Sequence, residues 1–325
     1  MKLAVIDDYQ SVFKQLGNFD KLKDHEVVTF SEPERDMGRL AAKLRDFDAV
    51  MLTQQRTAFG RALIEQLPNL KLISQTAHTT HIDLAACTER GIVVSAGGAT
   101  GGGSGDTTEL TWALILASVR HIPFEVEQLK RGHWQTTLGT GLRGRTLGIY
   151  ALGNIGGGVA AVGKTLGMRV LCWGREGTRA RAIEAGYEFA SSREAFFEAA
   201  DVLSVHLPLN DETRGLITAE DLAHMNPTAL IVNISRAPII AEGALAEALR
   251  RGRPGFAAVD VYEDEPVLGA DHPLLHMDNA LCTPHLGYVT SGRYESMYGA
   301  CIEHILAFAA GQPIHVANPE VLAKA

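Results

Sequence analysis

The sequence predicts an α/β protein made of two doubly wound, parallel-sheet domains, and three observations carry that reading. Short apolar runs alternate with segments of helical period, a glycine-rich tract interrupts the alternation once, and the alternation then starts again. The 325 residues, 46% hydrophobic and 21% charged, are enough for each domain to bury its own core.

In the first series, residues 3–6, 27–30, 49–52, 70–74 and 92–94 read as strands. They are separated by segments such as the one carrying Met37, Leu40, Ala41 and Leu44, which fall on one helical face. Strands that alternate with helices pair in parallel, because a parallel pair needs a crossover connection. The tract 97–105 then reads either as a crossing between domains or as a slack loop. Asp106 followed by Glu109 has the form of a helix N-terminal cap. Residues 110–117 are apolar on nearly all sides, which predicts a buried linking helix. A second series starts at Thr146 and continues through 169–173, 202–205, 229–234, 256–260 and 281–283. Met297, Ala300, Cys301, His304, Ile305 and Phe308 recur at helical spacing until Gly311, Gln312 and Pro313 stop the helix, which is expected to pack back on the first domain.

Composition excludes several classes of function. Thirty Lys and Arg against 38 Asp and Glu give a net charge of −8, which offers no general attraction for nucleic acid. No apolar run approaches the roughly 18 residues of a membrane span. The N-terminal run 1–6 is cut off by Asp7 and Asp8, too short for a signal peptide, so a cytoplasmic location is expected. Cys87, Cys172, Cys282 and Cys301 form no C-x-x-C pair and read as free thiols. Trp112, Trp134 and Trp173 read as core or interface aromatics.

The second series opens with a strand, 146–150, that runs into Ala151, Leu152, Gly153, Asn154, Ile155 and Gly156 and then into an amphipathic helix. This is the context of a dinucleotide fingerprint. Gly153 would let the backbone approach a pyrophosphate, Gly156 would let helix and strand pack closely, and the helix N-terminus would present N–H groups. Ala151 stands where the pattern has its first glycine, and its methyl group crowds the turn. The next strand ends in Gly174 and Arg175, without the carboxylate that usually binds the ribose hydroxyls of NAD. A 2′-phosphate would meet no repulsion there and Arg175 would pair with it, helped by Arg179 or Arg181, so NADP is expected over NAD. The competing reading makes these arginines decoration of the next helix, with Glu176 beside Arg175.

Three more segments end strands of the same domain: Asn233 to Arg236, Asp260 to Pro266, and Thr283 to Gly287. With their order after the glycine turn, nearly the whole chain resembles the D-isomer-specific 2-hydroxyacid dehydrogenase family, which includes phosphoglycerate, glycerate and formate dehydrogenases. The resemblance implies a flavodoxin-like substrate domain, residues 1–103 and 292–325, and an inserted Rossmann cofactor domain, residues 104–291. By that resemblance Arg236 matches the arginine that holds substrate carboxylate and keto oxygen, a task suited to its planar fork of donors. His285 matches the general acid and base, and Glu265 its paired carboxylate, whose charge favours the proton-donating imidazolium. Asp260 matches the residue that orients the nicotinamide carboxamide. The segment 201–209 resembles the one that passes under adenine and ribose. It brings His206, Leu207 and Pro208 to the cofactor with Thr213 close behind, and the resemblance makes Ile234, Ser235 and Gly287, beside the catalytic groups, cofactor-binding as well. His206 also reads simply as a packed strand-end histidine.

Two departures from the family bear on the substrate. The first-domain loop that normally offers glycine-flanked N–H groups to a carboxylate reads Gln75, Thr76, Ala77, His78, Thr79, Thr80, His81. Ala77 and His78 are expected at the substrate, with His78 either filling part of the pocket or lying in a solvated loop. Ala237 replaces the glycine after the arginine.

The sequence therefore predicts an oxidoreductase that passes a hydride between a nicotinamide cofactor and a small 2-keto or D-2-hydroxy acid, with no metal, nucleic acid or membrane partner. Closure of the domains about the crossings near 97–105 and Ser291 would exclude water. The resemblance implies a homodimer made by the second domain with the segment 134–142. The competing class is a nucleotide-sensing, corepressor-like binding protein on the same fold, without turnover.

Overall fold

A computed structural model of the chain describes residues 1–99 and 103–324. It divides into two compact units, Met1–Gly101 with Thr290–Ala325, and Gly102–Val289. The middle of the glycine tract expected to carry the crossing, residues 100–102, lies outside the described residues.

The first unit runs β1 (Lys2–Val5), β2 (Glu26–Thr29), α1 (Met37–Leu44), β3 (Ala49–Leu52), α2 (Arg61–Ile64), β4 (Leu72–Gln75), α3 (Leu84–Glu89) and β5 (Val93–Ala96). All strand pairs are parallel and the order is β2-β1-β3-β4-β5, the flavodoxin-like arrangement. Helix starts are fixed locally: Asp36 accepts from the Arg39 N–H to begin α1, and Asp83 from the Ala86 N–H to begin α3. Strands β3 and β4 are buried along their whole length, as central parallel strands with helices on both faces must be.

The second unit runs α4 (Ser104–Val119), α5 (Ile122–Lys130), β6 (Thr146–Tyr150), α6 (Asn154–Thr165), β7 (Arg169–Trp173), α7 (Glu176–Glu184), β8 (Glu188–Phe189), α8 (Arg193–Ala199), β9 (Val202–Val205), α9 (Ala219–His224), β10 (Leu230–Asn233), α10 (Ala244–Arg251), β11 (Phe256–Val259) and β12 (Ala280–Cys282). Its seven strands are parallel in the order β12-β11-β10-β9-β6-β7-β8. Strand order reverses between β9 and β6, and that switch point, at the carboxyl ends of the strands, is where an open α/β sheet takes its ligand. Phe196 and Phe197 of α8 are fully buried beside Tyr150, each worth about 1.5–3 kcal/mol of burial. The last helix, α11 (Ser291–Ala309), belongs to the first unit and packs on β4 and β5, with the Ser74 hydroxyl donating to the Cys301 carbonyl at 3.2 Å.

Three details differ from the sequence expectation. Helix α4 begins at Ser104 after Gly103, so Asp106 is not its cap but lies in the first turn, where its carboxylate meets the positive end of the helix dipole. The same helix is not buried all round, because Leu116 is 40% exposed. Strand β8, two residues at the sheet edge, is too short to leave a period in the sequence. Among the described residues no helix is long and apolar enough to cross a membrane.

Candidate active site

The glycine turn follows β6 at the switch point. The Ala151 N–H donates to the Trp173 carbonyl at 2.9 Å, and its φ of 74° lies in the left-handed region that favours glycine. A Cβ on Gly156 would stand 2.4 Å from the Ala151 carbonyl oxygen, so only glycine lets α6 lie this close to β6. A Cβ on Gly153 would meet nothing within 4 Å, and Gly153 and Asn154 are exposed. The open side of the turn therefore has room for a pyrophosphate against the first N–H groups of α6. Leu152 turns inward and is 4% exposed, while Ile155 packs partly into the core.

Gly174 and Arg175 lead from β7 into α7, and Arg175 forms an exposed ion pair with Glu212. The three arginines expected to act together point to different partners. Arg179 lies over the Phe189 ring at 5.6 Å, and Arg181 Nε donates to the Leu152 carbonyl at 2.5 Å. Arg181 also lines an open pocket of about 590 Å³ with Leu152, Gly153, Asn154 and Gly157.

The loop after β9 carries His206, Leu207 and Pro208. The His206 ring packs near Gly156 with both nitrogens buried and unpartnered, and burial pushes its pKa down, so it stays neutral. Thr213 is 2% exposed; its hydroxyl donates to the Pro208 carbonyl at 2.6 Å and takes the Asn210 N–H at 2.8 Å, so it braces this loop from inside. The Ser235 hydroxyl donates to the Leu207 carbonyl, joining the loops after β9 and β10. Ile234 is 6% exposed in the core, which leaves only its backbone to face a ligand.

Arg236 follows β10 on a loop bracketed by Asn233. The Asn233 side chain accepts from the Ser235 N–H at 3.0 Å and donates to the Arg236 carbonyl at 3.1 Å. The loops after β11 and β12 meet beside it in the sheet order. His285 Nδ1 lies 2.6 Å from Glu265 Oε2. A carboxylate only accepts, so Nδ1 carries the proton of this bond and Nε2 is the atom left for chemistry. Glu265 is itself fixed by the Tyr262 N–H, at 2.9 Å to Oε1.

His285 has φ 53°, a strained conformation for a non-glycine residue, and the surrounding bonds hold it there. Fully buried Asp260 accepts from the Thr283 hydroxyl at 2.6 Å and from the N–H groups of Leu286 at 2.7 Å and Gly287 at 2.9 Å. Burial raises the Asp260 pKa, while these donors and His285 pull it down. Thr107 of α4 donates to the Gly287 carbonyl at 2.8 Å. Neither Thr107 nor this anchoring use of Asp260 leaves a signal in the sequence, because their partners lie far away along the chain.

In the first unit the loop after β4 is clamped by Gln75. Its buried amide donates to the carbonyls of Gln54 at 2.6 Å and His78 at 2.9 Å and accepts from the Thr76 N–H at 2.7 Å. Ala77 is half-buried, the His78 side chain is exposed, and burial pushes the pKa of His81 down to about 4.

Residues 112–287 match the family model described as D-isomer specific 2-hydroxyacid dehydrogenase, NAD binding domain. A glyoxylate reductase of Aeropyrum pernix is 37% identical over 294 residues, 87% of this chain and 86% of that protein. A D-3-phosphoglycerate dehydrogenase of Methanocaldococcus jannaschii is 37% identical over 254 residues, 77% of this chain but 48% of that longer protein. Among solved structures, a putative D-3-phosphoglycerate dehydrogenase oxidoreductase from Ralstonia solanacearum superposes with a TM-score of 0.94 at 46% identity, covering 99% of this chain and 98% of that one.

Proposed function

The chain belongs to the D-isomer-specific 2-hydroxyacid dehydrogenase family, and from that premise we propose that it is a cytoplasmic 2-keto acid reductase whose proton donor is His285. The observation that carries the reading is the 2.6 Å His285–Glu265 pair on the sheet edge that also holds Arg236 and the glycine turn. The nucleotide-sensing alternative gains no support from any feature of the site.

A nicotinamide dinucleotide, bound along Gly153 to Gly156 and the loops carrying Leu207, Ser235 and Asp260, supplies the hydride. Arg236 binds the substrate carboxylate and keto oxygen through its planar donors. His285 Nε2–H gives its proton to the alkoxide oxygen as negative charge develops there, and Glu265 stabilises the imidazolium before the transfer. Asp260 and Thr107 keep the His285 loop in its strained conformation, so that the donor nitrogen is placed before substrate arrives. The unit Gly102–Val289 is the cofactor domain in this reading, and the other unit, with its Gln75-clamped loop at Ala77 and His78, contributes to the substrate.

Preference for NADPH rests on Arg175 and the missing carboxylate after β7. Arg175 would exchange Glu212 for a 2′-phosphate when an NADP-type cofactor binds, a dianion replacing a monoanion on the exposed guanidinium. Steady-state oxidation of NADPH and NADH against glyoxylate, hydroxypyruvate, pyruvate and phenylpyruvate tests both points. We expect turnover with NADPH preferred, and Arg175→Ala should raise KM for NADPH about 10-fold or more while leaving NADH within about twofold. Equal cofactor use by the natural chain removes Arg175 as selector, and absence of turnover with any of the acids removes the reductase reading for them.

The protein acts as a homodimer through the second unit. No residue of α5 is buried, and Ile122, Phe124, Val126 and Leu129 are 44–57% exposed, with Trp134 at 77% and Leu138 at 94%. An apolar surface of this extent is normally covered by a partner. Light scattering at micromolar concentration should give twice the chain mass, and Leu129→Glu with Leu138→Glu should halve it. A monomer of the unaltered chain would falsify the dimer.

A further inference from the structure

The glycine turn departs from its usual pattern at Ala151, and the structure contains a side chain placed to offset that departure. Ala151 is pinned from both sides: its N–H is bonded to the Trp173 carbonyl at 2.9 Å, and its own carbonyl lies under Gly156, where a Cβ would come within 2.4 Å. The first contact cannot relax without parting the ends of β6 and β7, nor the second without separating α6 from β6, so the alanine is held at φ 74°, where its Cβ is strained. The next residue, Leu152, sends its side chain into the core and turns its carbonyl to Arg181, whose Nε donates to it at 2.5 Å. A charge-assisted bond of this kind is among the stronger tethers available to a surface turn. Of the three arginines that follow β7, Arg175 is engaged by Glu212 and Arg179 by the Phe189 ring, and Arg181 is the one that reaches the turn.

We propose that Arg181 is a positioning residue for the cofactor, fixing through the Leu152 carbonyl a turn that alanine at 151 would otherwise leave strained and loose. The proposal rests on the reading of this turn as the dinucleotide site. The N–H groups at the start of α6 bind a pyrophosphate only when the turn aims them at the open side beside Gly153, and a turn that samples other conformations weakens every phosphate contact together. The Leu152 carbonyl also presents a partial negative charge next to that anion site. The guanidinium covers it and sets positive charge against the Glu184 carboxylate in the pocket it shares with Gly153, Asn154 and Gly157. Arg181 therefore acts on the half of the dinucleotide common to NADH and NADPH, not on the 2′-phosphate.

The test is a double-substitution cycle. Dissociation constants of NADH and NADPH are measured by fluorescence titration for the natural protein, Arg181→Met, Ala151→Gly and the double variant. Arg181→Met should weaken both cofactors by the same factor, about tenfold. In the Ala151→Gly background, where the left-handed turn is unstrained, the same substitution should cost no more than about threefold. Amide hydrogen exchange across residues 152–156 in the cofactor-free protein should accelerate in Arg181→Met and return toward the natural rate in the double variant. Equal losses in both backgrounds, or a loss confined to NADPH, would overturn the positioning role. Unchanged exchange in Arg181→Met would also overturn it. If neither dinucleotide binds the natural chain, the functional reading fails, and the exchange result still decides whether Arg181 holds the turn.

Discussion

Replacing His285 by alanine should lower kcat for 2-keto acid reduction by about 10²–10⁴-fold, the usual contribution of a positioned general acid, with a much smaller change in substrate KM. The expectation follows from the geometry of one bond. Glu265 accepts from Nδ1–H at 2.6 Å, so the imidazole can exchange protons with substrate only through Nε2. The loop after β11 holds a second histidine–carboxylate pair, His272 Nε2 with Glu263 Oε2 at 3.0 Å, but its Nδ1 accepts from the Leu274 N–H, so that ring has no nitrogen left for substrate. Glu265→Gln is the finer probe. Glutamine has one acceptor oxygen for two donors, Nδ1–H and the Tyr262 N–H, and it carries no charge to stabilise the imidazolium, so kcat should fall about 10–100-fold and the Tm by a few degrees from the donor left unpaired. Stopped-flow reduction with the hydride donor saturating separates these effects from cofactor binding. Undiminished reduction by His285→Ala would remove His285 as the acid and leave the Glu265 pair with a purely structural meaning.

The sequence made some of this site readable and hid the rest, and the division follows sequence separation. The glycine turn is read from residues 146–166 because strand, turn and helix are contiguous there, and the crowding expected at Ala151 appears as its left-handed φ. Arg236, Glu265 and His285 lie in the loops that follow β10, β11 and β12, and a parallel sheet brings the carboxyl ends of adjacent strands to one edge, so motifs read at strand ends in the sequence are brought near one another. What could not be read depends on contacts between distant segments. Thr107 reaches Gly287 across 180 residues, Arg181 reaches Leu152 across 29 and Arg175 reaches Glu212 across 37. No periodicity records such pairs. Asp106 failed in the opposite way: the Asp-x-x-Glu pattern is local, but the helix start had already been set two residues earlier at Ser104.

Arg236→Lys should reduce kcat/KM for 2-keto acids by about 10²–10³-fold, although charge is conserved. The loss comes from geometry. The loop after β10 is fixed by both ends of the Asn233 amide and by the Ser235 hydroxyl on Leu207, and the guanidinium turns back so that Nη1 donates to the Ser235 carbonyl at 2.7 Å. That bond sets the plane of the fork, and a planar fork can meet a carboxylate oxygen and the adjacent keto oxygen together, whereas an ammonium group meets one point. Arg236→Ala should lose a further order of magnitude, and added guanidinium should restore part of the rate, because the missing group is a soluble ion in an otherwise intact loop. The decisive comparison uses a carbonyl substrate without the carboxylate. The natural enzyme should reduce it poorly, and Arg236→Ala should lower that rate far less than it lowers reduction of the acid, since most of the arginine's interaction is with the carboxylate. An equal loss on both substrates would show that Arg236 acts on the loop and not on the acid. Intact kcat/KM in Arg236→Lys would mean that bulk positive charge is sufficient, and the role of the fork would be lost.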